Sequence, residues 1–167
     1  MPRHEFIVVD PERCTGCEIC ETICSFAQEG VFNPLLSRIK RVRIEPIINI
    51  ALACNKCEDP ECVRACPQKA LIKDEKTGNI LLIDANKCDG CGFCIRACPF
   101  GAVSLSLDGK SLICDLCEHT DYDEPQCIVW CPTECISLRT IDQLAEEKRI
   151  DAVKRLLSDL MQGKAES

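Results

Sequence analysis

Apolar and polar positions alternate in short bursts along this chain. The first burst, EFIVVDPERC at residues 5 to 14, predicts a strand and then a turn, with Pro11 delivering the chain to Cys14. SFAQEG continues from Cys24 as a helix, and Gly30 is its expected stop. In residues 31 to 53, Arg38, Lys40, Arg41 and Arg43 alternate with Ile39, Val42 and Ile44, which predicts one half-exposed strand with a basic side. That side is either a solvated face or a ledge that docks an acidic partner and offsets negative charge within the molecule. Farther on, KALIKDEKTGNILLIDANKC predicts a hairpin: strand ALI, a loop ending Thr77, Gly78, Asn79, and strand ILLID. FGAVSLSLDGKSLICDLC repeats it, with Asp108 and Gly109 at the turn. From Thr140 the period becomes helical: Val153, Leu156, Leu157 and Leu160 share a face and Gly163 is the expected stop. Such a helix either packs on the body or docks a partner.

Between these elements fall the cysteines. Cys88, Cys91, Cys94 and Cys98 with Pro99 form the run C-x2-C-x2-C-x3-C-P, whose first three thiols wrap one cubane while the fourth ligates another. Gly90 and Gly92 let the backbone approach inorganic sulfide, and Cys98, about 6 Å farther along a helix axis, points away from the first cube. Pro99 stops that helix. Cys14, Cys17, Cys20 and Cys24 repeat the spacing, with Ser25 in the proline position. Cys54, Cys57, Cys62 and Cys66 widen the middle gap by two residues, around Pro60. Cys114, Cys117, Cys127 and Cys131 widen it to nine, EHTDYDEPQ, an acidic loop. Cys135 joins no group. It stands where Ala70 follows Cys66 and Ala102 follows Cys98, and it reads as a buried thiol.

Composition narrows the chemistry. Seventeen cysteines in 167 residues mean a disulfide scaffold or a metal protein. The odd count, the tight groups and an amino terminus without a signal core or twin-arginine pair favour metal, in a reducing cytoplasm. Zinc would draw its four ligands from pairs and leave the third thiol of each group unexplained. Aromatic residues are only 4% of the chain, so an ordinary core is poorly supplied and clusters are expected to replace it. The formal charge of −7 would fall to about −15 with four thiolate-bound cubes, which disfavours nucleic acid. No apolar run has the length of a membrane span. His4 and His119 are singletons, read as surface residues, and the chain carries no paired carboxylates, nucleophilic triad or phosphate loop. Electron transfer is the chemistry left, with no catalytic residues expected.

The four groups, with the short-hairpin pair in the middle and a widened fourth, resemble the four-cluster polyferredoxin subunits of molybdenum and tungsten oxidoreductases, of the dimethyl sulfoxide reductase iron-sulfur subunit type. The likeness covers residues 5 to 138. RVRIEP followed by ALACNKCEDPECVRACP is most similar to the small subunits of tungsten aldehyde oxidoreductases and class II benzoyl-CoA reductases. The resemblance implies an α+β fold of two pseudo-symmetric ferredoxin-like units, built from short β-hairpins and short helices, plus a C-terminal helix. Residues 1–53 and 104–139 would form the outer unit, 54–103 the inner one, and 140–167 the helix and tail. It implies four 4Fe-4S clusters with nested ligands. Cys14, Cys17, Cys20 and Cys131 would hold one, Cys114, Cys117, Cys127 and Cys24 another, Cys54, Cys57, Cys62 and Cys98 a third, and Cys88, Cys91, Cys94 and Cys66 the fourth. Sequence adjacency alone also permits pairing the first group with the second and the third with the fourth. The lack of a predicted hairpin between Cys24 and Cys54 speaks against that. The implied partners are a catalytic subunit with tungsten or molybdenum, acting for example on aldehydes in an anaerobe, and a ferredoxin or flavin subunit. A free soluble polyferredoxin is the alternative. An enzyme with an open cluster iron would need a group lacking a ligand, and every group is complete.

Overall fold

A computed structural model describes residues 4–45, 48–77 and 79–163; Gly78, expected in the first hairpin loop, and the tail 164–167 lie outside them. Strand β1 (Glu5–Val9) pairs antiparallel with the last strand, β8 (Ile136–Thr140), with Ile7 opposite Leu138, so the two ends of the body are tied together. Helix α1 (Ile19–Glu29) begins inside the first cysteine group and stops at Gly30, which adopts the left-handed conformation and donates its N–H to the Phe26 carbonyl at 2.8 Å. Ser25, fully buried, donates to the Thr22 carbonyl at 2.8 Å and accepts from the Asn33 N–H at 3.0 Å, and Phe26 stacks on Phe32. With serine instead of proline at this position the helix runs on past Cys24.

Residues 31 to 53 are not one strand. After a 3-10 turn at Pro34–Leu36 they form β2 (Lys40–Ile44) and β3 (Ile48–Leu52), an antiparallel pair. A hairpin therefore does separate Cys24 from Cys54, and its expected absence cannot be used to choose between pairings. The alternation that predicted the strand is real over β2.

The middle of the chain follows the expected order. Short helix α2 (Glu61–Arg64) leads to the antiparallel pair β4 (Leu71–Asp74) and β5 (Ile80–Ile83), then α3 (Phe93–Ala97) and the small pair β6 (Ser104–Leu105) and β7 (Ser111–Leu112). Helix α4 (Gln126–Val129) precedes β8. Helix α2 packs on α3, and α1 on α4. The architecture is α+β, with four separate two-stranded ladders among the described residues. Such ladders are marginal alone in water. The buried cluster joining them mixes Ile7, Ile39, Leu71, Leu81, Ile113 and Ile136 with Cys24, Cys54, Cys62, Cys94, Cys114, Cys127 and Cys135. Thiols thus occupy much of the space where larger apolar side chains would normally stand.

Helix α5 (Ile141–Gly163) opens with a reciprocal cap. Gln143 N–H donates to Thr140 Oγ1 at 3.2 Å, and Thr140 N–H donates to Gln143 Oε1 at 2.8 Å. It meets the body at β8, where Arg139 pairs with Glu147 at 3.0 Å. The face of Val153, Leu156, Leu157 and Leu160 is not packed on the body: these residues are 54 to 64% exposed. Among the described residues no helix is long and apolar enough to cross a membrane.

Candidate metal centres

Three small cavities are walled by cysteines, and in each the fourth thiol comes from a different sequence group. Cys14, Cys17 and Cys20 meet Cys131 round an empty volume of about 350 Å³, which the seventeenth cysteine, Cys135, also lines. Cys54, Cys57 and Cys62 meet Cys98 round about 340 Å³. Cys88, Cys91 and Cys94 meet Cys66 round about 310 Å³. The remaining four are electrostatic neighbours: Cys24 acts on Cys114, Cys117 and Cys127, and Cys127 also feels Cys114 and Cys117. Twelve of the sixteen thiols line three cavities, the other four are neighbours of one another, and all seventeen cysteines are free.

Local geometry explains how each C-x2-C loop closes. The second spacer residue sits at positive φ in all four loops: Gly16 at 71°, Lys56 at 53°, Gly90 at 73° and Leu116 at 62°. The glycines are required by their neighbours. A Cβ on Gly90 would lie 2.5 Å from the Gly109 carbonyl oxygen, and one on Gly16 would lie 2.5 Å from Asn49 Oδ1. In the third and fourth loops an aspartate accepts from the following cysteine: Cys91 N–H to Asp89 Oδ1 at 3.1 Å, and Cys117 N–H to Asp115 Oδ1 at 3.2 Å.

Backbone donors point at sulfur. Ala70 N–H lies 3.3 Å from Cys66 Sγ, Ala102 N–H 3.4 Å from Cys98 Sγ, and Lys56 N–H 3.5 Å from Cys54 Sγ. Cys24, followed by helix instead of proline, receives its donor from Arg38 N–H at 3.3 Å, beyond the helix. Ser111 Oγ stands 3.2 Å from Cys94 Sγ and 3.7 Å from Cys88 Sγ. Such donors stabilise sulfur-centred negative charge and tune a bound cluster. Lys56, Arg38, Asp115 and Ser111 were not among the expected site residues. Nothing in their spacing marks them, because fold alone brings them to the thiols.

The arginines of β2 and its approach are all engaged within the chain, Arg38 and Arg41 half-buried and Arg43 in an exposed pair. Arg38 pairs with buried Asp115 at 2.6 Å and with Glu29 at 3.7 Å, Arg41 pairs with Glu18, and Arg43 pairs with Glu45 at 3.0 Å. Gln28 also donates to Asp115, at 2.8 Å. The positive charge is spent inside the chain, much of it on the carboxylate that shapes the fourth loop.

Burial governs the thiols themselves. It pushes Cys114, Cys62 and Cys20 up to about 12, and Cys127 well above its ordinary value. Without a cation these thiols stay protonated, so ligation must release protons. Burial also acts on Cys131, but donors at Thr133 and Cys135 outweigh it and hold that thiol at about 7. Cys135 is buried, lies with its sulfur 3.5 Å from Cys131 Sγ, and is pushed up to about 11 by burial and then by Cys131.

The donor set fits 4Fe-4S clusters. Three all-thiol quartets lie around cavities, with N–H groups aimed at sulfur. Among the described residues no three Cys, His, Asp or Glu side chains converge on a point that one ion could occupy. Exposure differs among the quartets. Cys17 and Cys91 are exposed, whereas the quartets of Cys54 and Cys114 contain no exposed thiol.

Comparison with known proteins agrees with this chemistry. A family model for a 4Fe-4S dicluster domain matches residues 47–141, and one for a 4Fe-4S binding domain matches residues 6–32. The chain is 41% identical over 128 residues to the polyferredoxin-like subunit of an aliphatic sulfonate oxidoreductase from Pyrococcus furiosus, covering 75% of this chain and 70% of that one. It is 30% identical over 175 residues to the electron transport protein HydN of Escherichia coli, covering 87% and 95%. Among solved structures it is similar to a chain of the BamBC active site complex of benzoyl coenzyme A reductase, with 29% identity, 98% and 97% coverage and a TM-score of 0.48.

Proposed function

We propose, for a chain that belongs to the 4Fe-4S dicluster domain family, that its four quartets hold four 4Fe-4S clusters and that it is the electron-transfer subunit of an oxidoreductase. The ligand sets of this reading are Cys14, Cys17, Cys20, Cys131; Cys24, Cys114, Cys117, Cys127; Cys54, Cys57, Cys62, Cys98; and Cys66, Cys88, Cys91, Cys94. Clusters bound there supply reversible one-electron chemistry. The chain's part is to keep water from the thiols, aim N–H donors at sulfur and fix the order of the sites.

The observation that carries the reading is that order. Cys20 of the first quartet acts on Cys127 of the next, Cys54 acts on Cys114, and α3 holds Cys94 one turn before Cys98, joining the last two quartets. The line runs from the quartet with exposed Cys17 to the quartet with exposed Cys91, with the two unexposed quartets between them. A wire needs accessible ends and an insulated middle. The uncovered apolar face of α5 supports a subunit over a free carrier, since such a patch on a free monomer invites aggregation. We take the partner to be a catalytic subunit with tungsten or molybdenum, the acceptor to be a ferredoxin or flavin subunit, and the compartment to be the cytoplasm.

Anaerobic affinity purification from the native host, with metal analysis, tests this. The expected result is a co-eluting large subunit carrying tungsten or molybdenum. Iron alone on a monomer would identify a diffusing carrier instead. Deleting residues 141–167 is expected to keep the iron and lose the large subunit; continued co-purification would contradict docking through α5.

A further inference from the structure

Lys56 is 0% exposed, the most completely buried charged side chain among the described residues. Its backbone N–H lies 3.5 Å from Cys54 Sγ, and its ammonium donates to the carbonyl of Cys114. One residue thus reaches from the quartet of Cys54 to the quartet of Cys114. No carboxylate pairs with it among the described residues. Burying an unpaired ammonium is unfavourable unless negative charge compensates it. The position is costly in a second way. Lys56 holds φ at 53° in a loop position that two of its three counterparts fill with glycine. Both costs are offset if each neighbouring quartet carries the net negative charge of a thiolate-bound cluster.

We infer that Lys56 is a positively charged bridge between the two insulated clusters, raising the reduction potential of both. The inference rests on the four-cluster reading and extends it to how the middle of the line is tuned. Reduction adds negative charge to a site that is already anionic. A fixed positive charge in a water-poor interior stabilises the reduced form, so these sites accept electrons more readily than thiolate charge and burial alone would allow. At the loop position of Lys56 the two terminal quartets carry Gly16 and Gly90; one of them meets a lysine from elsewhere, the part-buried Lys110, whose ammonium donates to the Cys88 carbonyl, so it is the span between two quartets that sets Lys56 apart. Lys56 acts through the ligand sulfurs and is a positioning residue, not a catalytic one.

The test is a potentiometric titration of the anaerobically prepared full chain, followed by electron paramagnetic resonance, with iron measured in parallel. Lys56→Met and Lys56→Gln are expected to retain the iron of the unsubstituted protein and to move two of the four transitions to lower potential, leaving the other two in place. Lys56→Arg, which keeps the charge, is expected to restore both. Four unmoved transitions, a uniform shift of all four, or loss of iron from both neutral variants would overturn the inference. An unsubstituted protein with fewer than four transitions would overturn the four-cluster reading instead, so the two failures are separable.

Discussion

On the proposed four-cluster reading, an inner and an outer unit would form their quartets by different routes. In the inner half Cys66 and Cys98 are exchanged between two groups that the β4 and β5 hairpin already holds side by side, and α2 packs on α3. In the outer half the exchanged residues are Cys24 and Cys131, brought together from opposite ends of the body by β1 on β8 and α1 on α4. Local closure has little loop entropy to overcome, whereas the outer closure spans most of the chain. On that reading the inner unit would be the self-sufficient one, and the outer unit would depend on the five-residue ladder of β1 and β8.

The largest expected effect strikes that ladder. Ile7 is 6% exposed and faces Leu138 across it. Ile7→Asp buries an unpaired carboxylate at a cost of roughly 3–5 kcal/mol. Iron content is expected to fall to about half, with the inner quartets still loaded. Full iron, or none, would show that the halves are not separable in this way.

Glycine substitutions sharpen the same comparison at the next level. Gly90, in the inner half, has the backbone of Gly109 against it, while Gly16, in the outer half, has the side chain of Asn49. A side chain can move aside and a backbone carbonyl cannot. Gly90→Ala is expected to cost about 2–4 kcal/mol and Gly16→Ala about 1–2 kcal/mol, since both also carry the left-handed strain. Chemical denaturation of the iron-loaded proteins would rank them, and the reverse order would contradict the geometry.

The smallest effect is expected at Cys135. In the inner half the corresponding Ala70 and Ala102 each direct a backbone N–H to a ligand sulfur. Cys135→Ala keeps that backbone donor and is expected to leave the iron unchanged, with a stability loss of about 1 kcal/mol. Loss of iron would make Cys135 a ligand.

The two halves were not equally legible in the sequence. Spacing within each cysteine group follows from wrapping three thiols round one cube, and such a local constraint is written locally. Both hairpins after Cys66 and Cys98 carry their turn residues on view, as at Asp108 and Gly109. The outer half was read less well because its organising contacts join distant segments. The regular run of basic residues predicts one strand, whereas the chain doubles back as β2 and β3. The arginines of that run looked free because their partners, Asp115 above all, lie far away in sequence. For α5, periodicity names the apolar face equally well whether the face is packed or bare. Lys56 gave no signal at all: a lysine in a loop reads as solvated, and only the fold reveals that it is enclosed.

Whether the chain holds four clusters on nested quartets is tested most directly by quantifying iron and acid-labile sulfide in the anaerobically purified full chain. The account predicts about sixteen iron atoms and as many sulfides per chain, four for each quartet. About eight of each, or stoichiometric zinc without sulfide, would contradict it.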